Sequence, residues 1–254
     1  MSGFSAFLGK EFTEIRRTWR LWVMPGMLVF FGVTSPIIAA LTPSLVKSMA
    51  ASQPGVVIQL PPPTAFDAFA QFIKNLDQFV LLAVVITGAG VVSGERSSGT
   101  AILALTKPLS RGAFVVAKIL SQVVLLLAAT ALGVVACLAM TAVVFGGVVS
   151  SRLVTAVGLW MLYASLLVVT MTLFSAAFRS RGAAAGAGLA FYFLAILLSN
   201  WGPAARYTFL GTMPAMRDAL MGEPVSAAWP VATAVAAIAV GVALAVGVFE
   251  RKEL

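Results

Sequence analysis

Glu95 and Arg96 open the chemically densest stretch of this 254-residue chain, Gly94-Glu95-Arg96-Ser97-Ser98-Gly99-Thr100-Ala101-Ile102-Leu103-Ala104-Leu105-Thr106-Lys107-Pro108-Leu109-Ser110-Arg111. An acid and a base stand together where a long apolar stretch ends, so they mark the passage from hydrocarbon to water. Ser98 or Thr100 can cap a following helix, because a side-chain oxygen accepts a hydrogen bond from an otherwise unpaired backbone N–H. Ile102, Leu103 and Leu105 then give a short apolar face, and Pro108 forbids continuation because it lacks the N–H that a helix interior needs. Ser110 stands where it caps the next helix, and Lys118 on that helix is still near the interface. This is recognition chemistry rather than bond cleavage. A helix too short to span a membrane presents an apolar face, which either docks on a partner protein or rests on lipid headgroups.

Other residues with chemical potential are few. Histidine is absent and the single cysteine, Cys137, lies within an apolar stretch. A disulfide framework, a CxxC metal pair and an intramembrane metalloprotease are therefore excluded. A serine intramembrane hydrolase lacks its usual basic partner. Met213, Met216 and Met221 are soft enough to ligate Cu(I), but methionine in an apolar helix is usually packing, and no metal is expected here. There is no GxxxxGK[ST] phosphate loop, so the chain does not bind ATP in the Walker manner by itself.

The elements that hold these residues are set by hydrophobicity. Six windows of 17 or more residues contain no Asp, Glu, Lys or Arg: 21–46, 78–94, 119–151, 153–178, 182–205 and 224–249. Crossing a hydrocarbon core of roughly 30 Å takes about 20 helical residues, and only a helix satisfies every backbone polar group within one segment. The run 48–66 is also uncharged, but three consecutive prolines exclude it. The expected fold is an all-α integral membrane protein. Its spans fall at about 21–43, 73–93, 113–145, 153–177, 183–201 and 229–249, the third ending near Phe145 before Gly146-Gly147. Composition agrees, with 60% hydrophobic and only 10% charged residues. The first window is too long for a signal-peptide core and is expected to be retained. With no ionisable residue inside any window, a proton- or ion-coupled carrier is disfavoured.

Six spans put both termini on one side, together with twelve of the seventeen basic residues. The excess of Lys and Arg then places the termini in the cytoplasm. The net charge of +8 reads as orientation and contact with anionic lipid headgroups, not nucleic-acid binding. Residues 1–20 form a segment of their own. Phe4, Phe7, Leu8, Phe12, Ile15 and Trp19 recur at helical spacing beside Lys10, Glu11, Glu14, Arg16, Arg17 and Arg20. They read either as a helix lying in the cytoplasmic interface or as a plain extension of the first span. Residues 43–73 and 202–228 form outside loops, the second with a short dipping helix over 206–221. Gly90 with Gly94, and Gly182, Gly186 and Gly188, make small-residue faces that let helices approach closely.

The loop closely resembles the pattern E-[RK]-x-x-G-T-x-x-L-x-x-x-x-P-[LVI]-S-R of ABC-2 type transporter permeases, the NosY-like branch in particular. Glu95, Arg96, Gly99, Thr100, Leu103, Pro108, Leu109, Ser110 and Arg111 carry the match, and Lys118 fits a later basic position. The specific motif covers only about 25 residues, while the topology fits the whole chain. The resemblance implies that 95–111 is a coupling helix docking on a separate ABC ATPase. Glu95, Arg96, Gly99, Thr100, Ile102, Leu103, Leu105, Pro108 and Arg111 would form the docking element, with Phe12, Arg16 and Arg17 on the interfacial helix. ATP and Mg would be bound by two copies of the partner ATPase, with no cofactor in this chain. It further implies residence in the bacterial inner membrane, a homodimer meeting along spans one and five, and export of an amphipathic or lipid-like substrate. A non-transporting scaffold that passes force to a periplasmic or extracellular partner is the rival reading.

Overall fold

The computed structural model describes residues 3–51, 61–100, 109–146 and 151–252. The predicted short helix carrying Ile102, Leu103 and Leu105, with Pro108 behind it, lies outside those residues. The described chain is helical, without strands: α1 (Gly3–Arg17), α2 (Arg20–Ala51), α3 (Ala65–Asn75), α4 (Leu81–Gly88), α5 (Ser93–Ser97), α6 (Arg111–Phe145), α7 (Ser151–Ala177), α8 (Arg181–Ser199), α9 (Gly202–Tyr207), α10 (Thr212–Met221) and α11 (Ala228–Glu250). A π-helical turn, Leu76–Val80, joins α3 to α4, and a 3-10 turn, Phe209–Gly211, joins α9 to α10. Six of the resulting helices are long and apolar enough to cross a membrane, the second being the composite Ala65–Ser97.

Local chemistry sets several boundaries. The Ser110 hydroxyl accepts from the Ala113 N–H at 3.1 Å, starting α6, which ends at Gly146. Ser180 does the same for α8 through Ala183, also at 3.1 Å. Thr64 donates its backbone N–H to Asp67 at 2.7 Å where α3 begins.

Two boundaries depart from the hydropathy reading. α2 continues past 43 to Ala51 with Pro25, Pro36 and Pro43 inside it, and the second span reaches back to Ala65 rather than 73. A charge-free window measures solubility in lipid, whereas packing decides how far a helix runs. Phe69, Phe72, Ile73 and Leu76 form a buried face of α3 and its π turn, and Asn75 donates to Ser35 of α2 at 3.0 Å. That face holds the helix together across Asp67, Lys74 and Asp77. The charge-free window 78–94 stands, and the composite second helix carries these three charges ahead of it.

α7 is the central helix, packed against α3, α4, α6, α8, α10 and α11, with Trp160, Tyr163, Leu167 and Met171 wholly buried. α2 lies along α6, where Gly32 and Gly133 bring the backbones together. A Cβ on Gly133 would sit 2.9 Å from the Leu28 carbonyl oxygen. The two ends of the bundle differ. The terminal face gathers α1, α5 and the C-terminus of α11 around the start of α6. At the far face α9 and α10 fold back, burying Met213 and Met216 while Met221 stays exposed. The dipping helix expected over 206–221 is thus two helices, and two of its methionines pack in the core.

Candidate functional site

α1 presents Phe7, Glu11 and Ile15 on one buried stripe, at i, i+4 and i+8, against the first turns of α6. Phe7 meets Phe114 of α6 at 5.1 Å between ring centroids, and Phe114 stacks on Phe249 of α11 at the same separation. This aromatic ladder joins the two ends of the chain to the third span. The interfacial-helix reading is refined: Arg16 and Arg17 are exposed and Phe12 half-buried, but the opposite face docks on protein.

Lys118, only 2% exposed, lies beside the ladder. Its ammonium donates to both Glu11 oxygens at 3.1 Å and to Glu95 Oε1 at 2.7 Å. It also lies 5.0 Å from the Phe114 ring centroid. Lys10 closes the cluster with contacts of 2.9 Å to Glu95, 3.0 Å to Glu11 and 2.6 Å to Glu14. Partial burial pulls the Lys10 ammonium towards neutrality, but the hydrogen bonds it donates to Glu14 and Glu95 and the charge of Glu11 outweigh it, so its pKa is raised above the ordinary lysine value. Oxygens of Glu11, Glu14 and Glu95 converge within 4.8 Å, a spacing that would suit a cation. The two ammonium groups already bonded to them supply it, so the arrangement is an ion-pair cluster. Glu95 thereby ties α1 and α6 to the segment that leaves the second span.

That segment is built by a break in the span. After Gly88 the helix opens into a turn over 89–92 and resumes as α5. The freed N–H groups of Val92 and Ser93 donate to the Ser175 hydroxyl of α7 at 3.0 Å each, and that hydroxyl donates to Ala89 O at 2.8 Å. Arg96 donates to the carbonyls of Ala176 and Phe178 at 3.2 Å, and Lys252 to Ala177 at 2.9 Å. These bonds satisfy the orphan carbonyls at the end of α7, where cations also suit the helix dipole. Arg111 does the same for α11 through Glu250 and Lys252, at 2.8 and 2.9 Å. Gly99 has a φ of +72°, a left-handed turn that costs glycine little. The Ser98 and Thr100 hydroxyls lie 2.9 Å apart, Thr100 donating to Glu95 O at 3.2 Å.

Of the residues singled out from sequence, Glu95, Arg96, Gly99, Thr100 and Arg111 therefore shape the loop from within, while Ile102, Leu103, Leu105 and Pro108 lie outside the described residues. The Gly90 and Gly94 face is corrected. It seats the Arg181 side chain and not another helix backbone, since a Cβ on Gly94 would fall 2.8 Å from the Arg181 guanidinium. Gly188 is corrected as a dimer contact: its Cβ position is taken by Met171 of the same chain, whereas Gly182 and Gly186 face open space. Sequence reading missed Glu11 by counting it with the polar face of α1. The signal was a carboxylate set between Phe7 and Ile15 within an apolar stripe. The role of Ser175 had no signal beyond its being a hydroxyl in a span.

The family profile described as ABC-2 family transporter protein matches residues 6–254. The chain is also similar to an uncharacterized transmembrane protein, YxlG, of Bacillus subtilis (strain 168). The two are 24% identical over 189 residues, which cover 74% of this chain and 73% of that relative.

Proposed function

The chain belongs to the ABC-2 transporter family, and from that premise we propose that it is the membrane subunit through which a separate ATPase drives export of an amphipathic or lipid-like substrate. The observation that carries this reading is the cluster of Lys118, Glu11, Glu95 and Lys10. It links α1, the start of α6 and the outlet of the second span into one unit immediately before the 99–111 segment. A push on that segment reaches the third span through Glu95 and Lys118, and reaches α7 through Arg96. ATPase closure would thus be passed into helix movement without this chain touching ATP. The terminal face is cytoplasmic in this reading, because the basic majority lies there.

Because such ATPases close nucleotide between two copies, the working unit contains two copies of this chain. The general preference of homo-oligomers for a two-fold axis favours a symmetric pair. The open Gly182 and Gly186 face of α8 is the proposed close-approach surface.

The test is co-expression with the ATPase subunit. Leu103→Asp and Leu105→Asp would each bury a carboxylate against an apolar docking cleft, at a cost of several kcal/mol. Both variants are expected to insert normally yet lose ATPase co-purification and stimulated hydrolysis. Unchanged association and hydrolysis in both variants would refute docking through this segment.

A further inference from the structure

Under α10 at the far face lies a cavity of about 460 Å³, walled by α3, the π turn, α8 and α10. That volume falls within the range of small-molecule clefts, roughly 300–1,000 Å³. Its apolar wall includes Ile73, Ile196 and Leu220, and Phe66 and Met221 also border it. The polar contribution is unusual for a position inside a span. Asp77 sits on the π turn, and its Oδ1 is buried with no hydrogen-bond partner. The turn is fixed from across the cavity by Tyr192, whose hydroxyl donates to the Asp77 carbonyl oxygen at 2.6 Å. Single π turns within α-helices are frequent at functional sites, and an unpaired carboxylate oxygen in such a place is costly unless a ligand supplies the donor.

The other charges define the ligand further. Asp67 is engaged at the start of α3 by Thr64. Lys74 and Arg217 also line the cavity and are exposed, and neither forms an ion pair with Asp77 among the described residues. A deep carboxylate behind two outer cations calls for a ligand of the reverse order, ammonium first and anion behind. We propose that this cavity binds the headgroup of a zwitterionic amphiphile, its ammonium on Asp77, its phosphate between Lys74 and Arg217, and its apolar tail leaving past Phe66 and Met221.

The inference rests on the exporter reading only in naming the ligand as cargo and the far face as outside. The site itself is measured by equilibrium binding to the full chain alone, so it fails or stands separately from ATPase coupling. The probes are lysophosphatidylethanolamine, lysophosphatidylglycerol and tail-less phosphoethanolamine, followed by native mass spectrometry from dodecyl maltoside. Wild type is expected to bind the zwitterionic lipid at least about tenfold more tightly than the anionic one, the difference a charged hydrogen bond makes. Asp77→Asn, nearly isosteric, should erase that preference while leaving lysophosphatidylglycerol binding unchanged, which also reports that the variant is folded. Lys74→Gln with Arg217→Gln should weaken both lipids together. Equal binding of the two lipids by wild type, or an undiminished preference in Asp77→Asn, would overturn the site. Phosphoethanolamine binding as tightly as the lipid would overturn the amphiphile assignment.

Discussion

Removing the Lys118 ammonium would leave Glu11, 5% exposed, buried without its principal cation. Breaking such a pair from one side costs roughly 3–5 kcal/mol, whereas replacing both partners by apolar groups can be neutral. Lys118→Met is therefore expected to destabilise the protein by about that amount, and adding Glu11→Leu to recover much of it. Thermal unfolding of both single variants and the double variant in detergent tests this. A double variant whose loss equals the sum of the singles would mean the two residues share no interaction. Lys10 offers a contrast. Its side chain is 45% exposed, so Lys10→Ala should cost only about 0–1 kcal/mol. Its raised pKa means that whatever it contributes is fully present below the ordinary lysine value of 10.5 and is lost only as pH rises through the higher folded value. Ser175→Ala would strand the N–H groups of Val92 and Ser93, at roughly 1–3 kcal/mol for each donor left unsatisfied. Faster amide exchange at those two residues is the expected signature, and unchanged protection there would refute the role assigned to Ser175.

Elements make different demands on residues of the same type, and α8 shows how. Gly188 faces Met171 of α7 and Val85 of α4, while Gly186, half a turn away, faces open space. A leucine at 188 must drive α7 and α8 apart and is expected to abolish the folded monomer, seen as loss of a monodisperse peak in detergent. A leucine at 186 should leave the monomer intact and weaken only the pairing of two copies, read by mass measurement with the ATPase present. If Gly186→Leu dimerises like wild type, the α8 face is not the interface. The second span obeys a similar logic. It changes to a π turn at Leu76–Val80 and opens again over 89–92, and each irregularity is held by a side chain of another helix, Tyr192 at the first and Ser175 at the second.

For the whole molecule, the division of basic residues predicts a topology that single cysteines can test in a Cys137→Ala background. Cysteines replacing Arg17 and Arg179, both exposed on the terminal face, should be protected from an impermeant thiol reagent applied to intact cells. Those replacing Lys47 and Arg217 should be labelled. Labelling at 17 or 179 from outside would invert the proposed orientation.

Hydrophobicity alone determined the six spans, because lipid leaves a charge-free stretch no alternative to a helix. The polar run from Glu95 to Arg111 was legible as an exit from the membrane, its spacing leaving docking and resting on headgroups both open, and Ser110 was legible as a cap because that bond is local. Tertiary structure decided everything that depends on which face of a helix meets which neighbour. Glu11 is one of several charges in α1 until Lys118, 107 residues away, turns it into a buried anchor. Asp77 lies just outside a charge-free window though within the span expected over 73–93, and only the packing around it, with Phe69, Phe72 and Leu76 buried beside it, leaves its Oδ1 buried without a partner. A sequence records how much each residue prefers water or lipid, but contacts between residues far apart in the chain set where a charge is buried and what it faces.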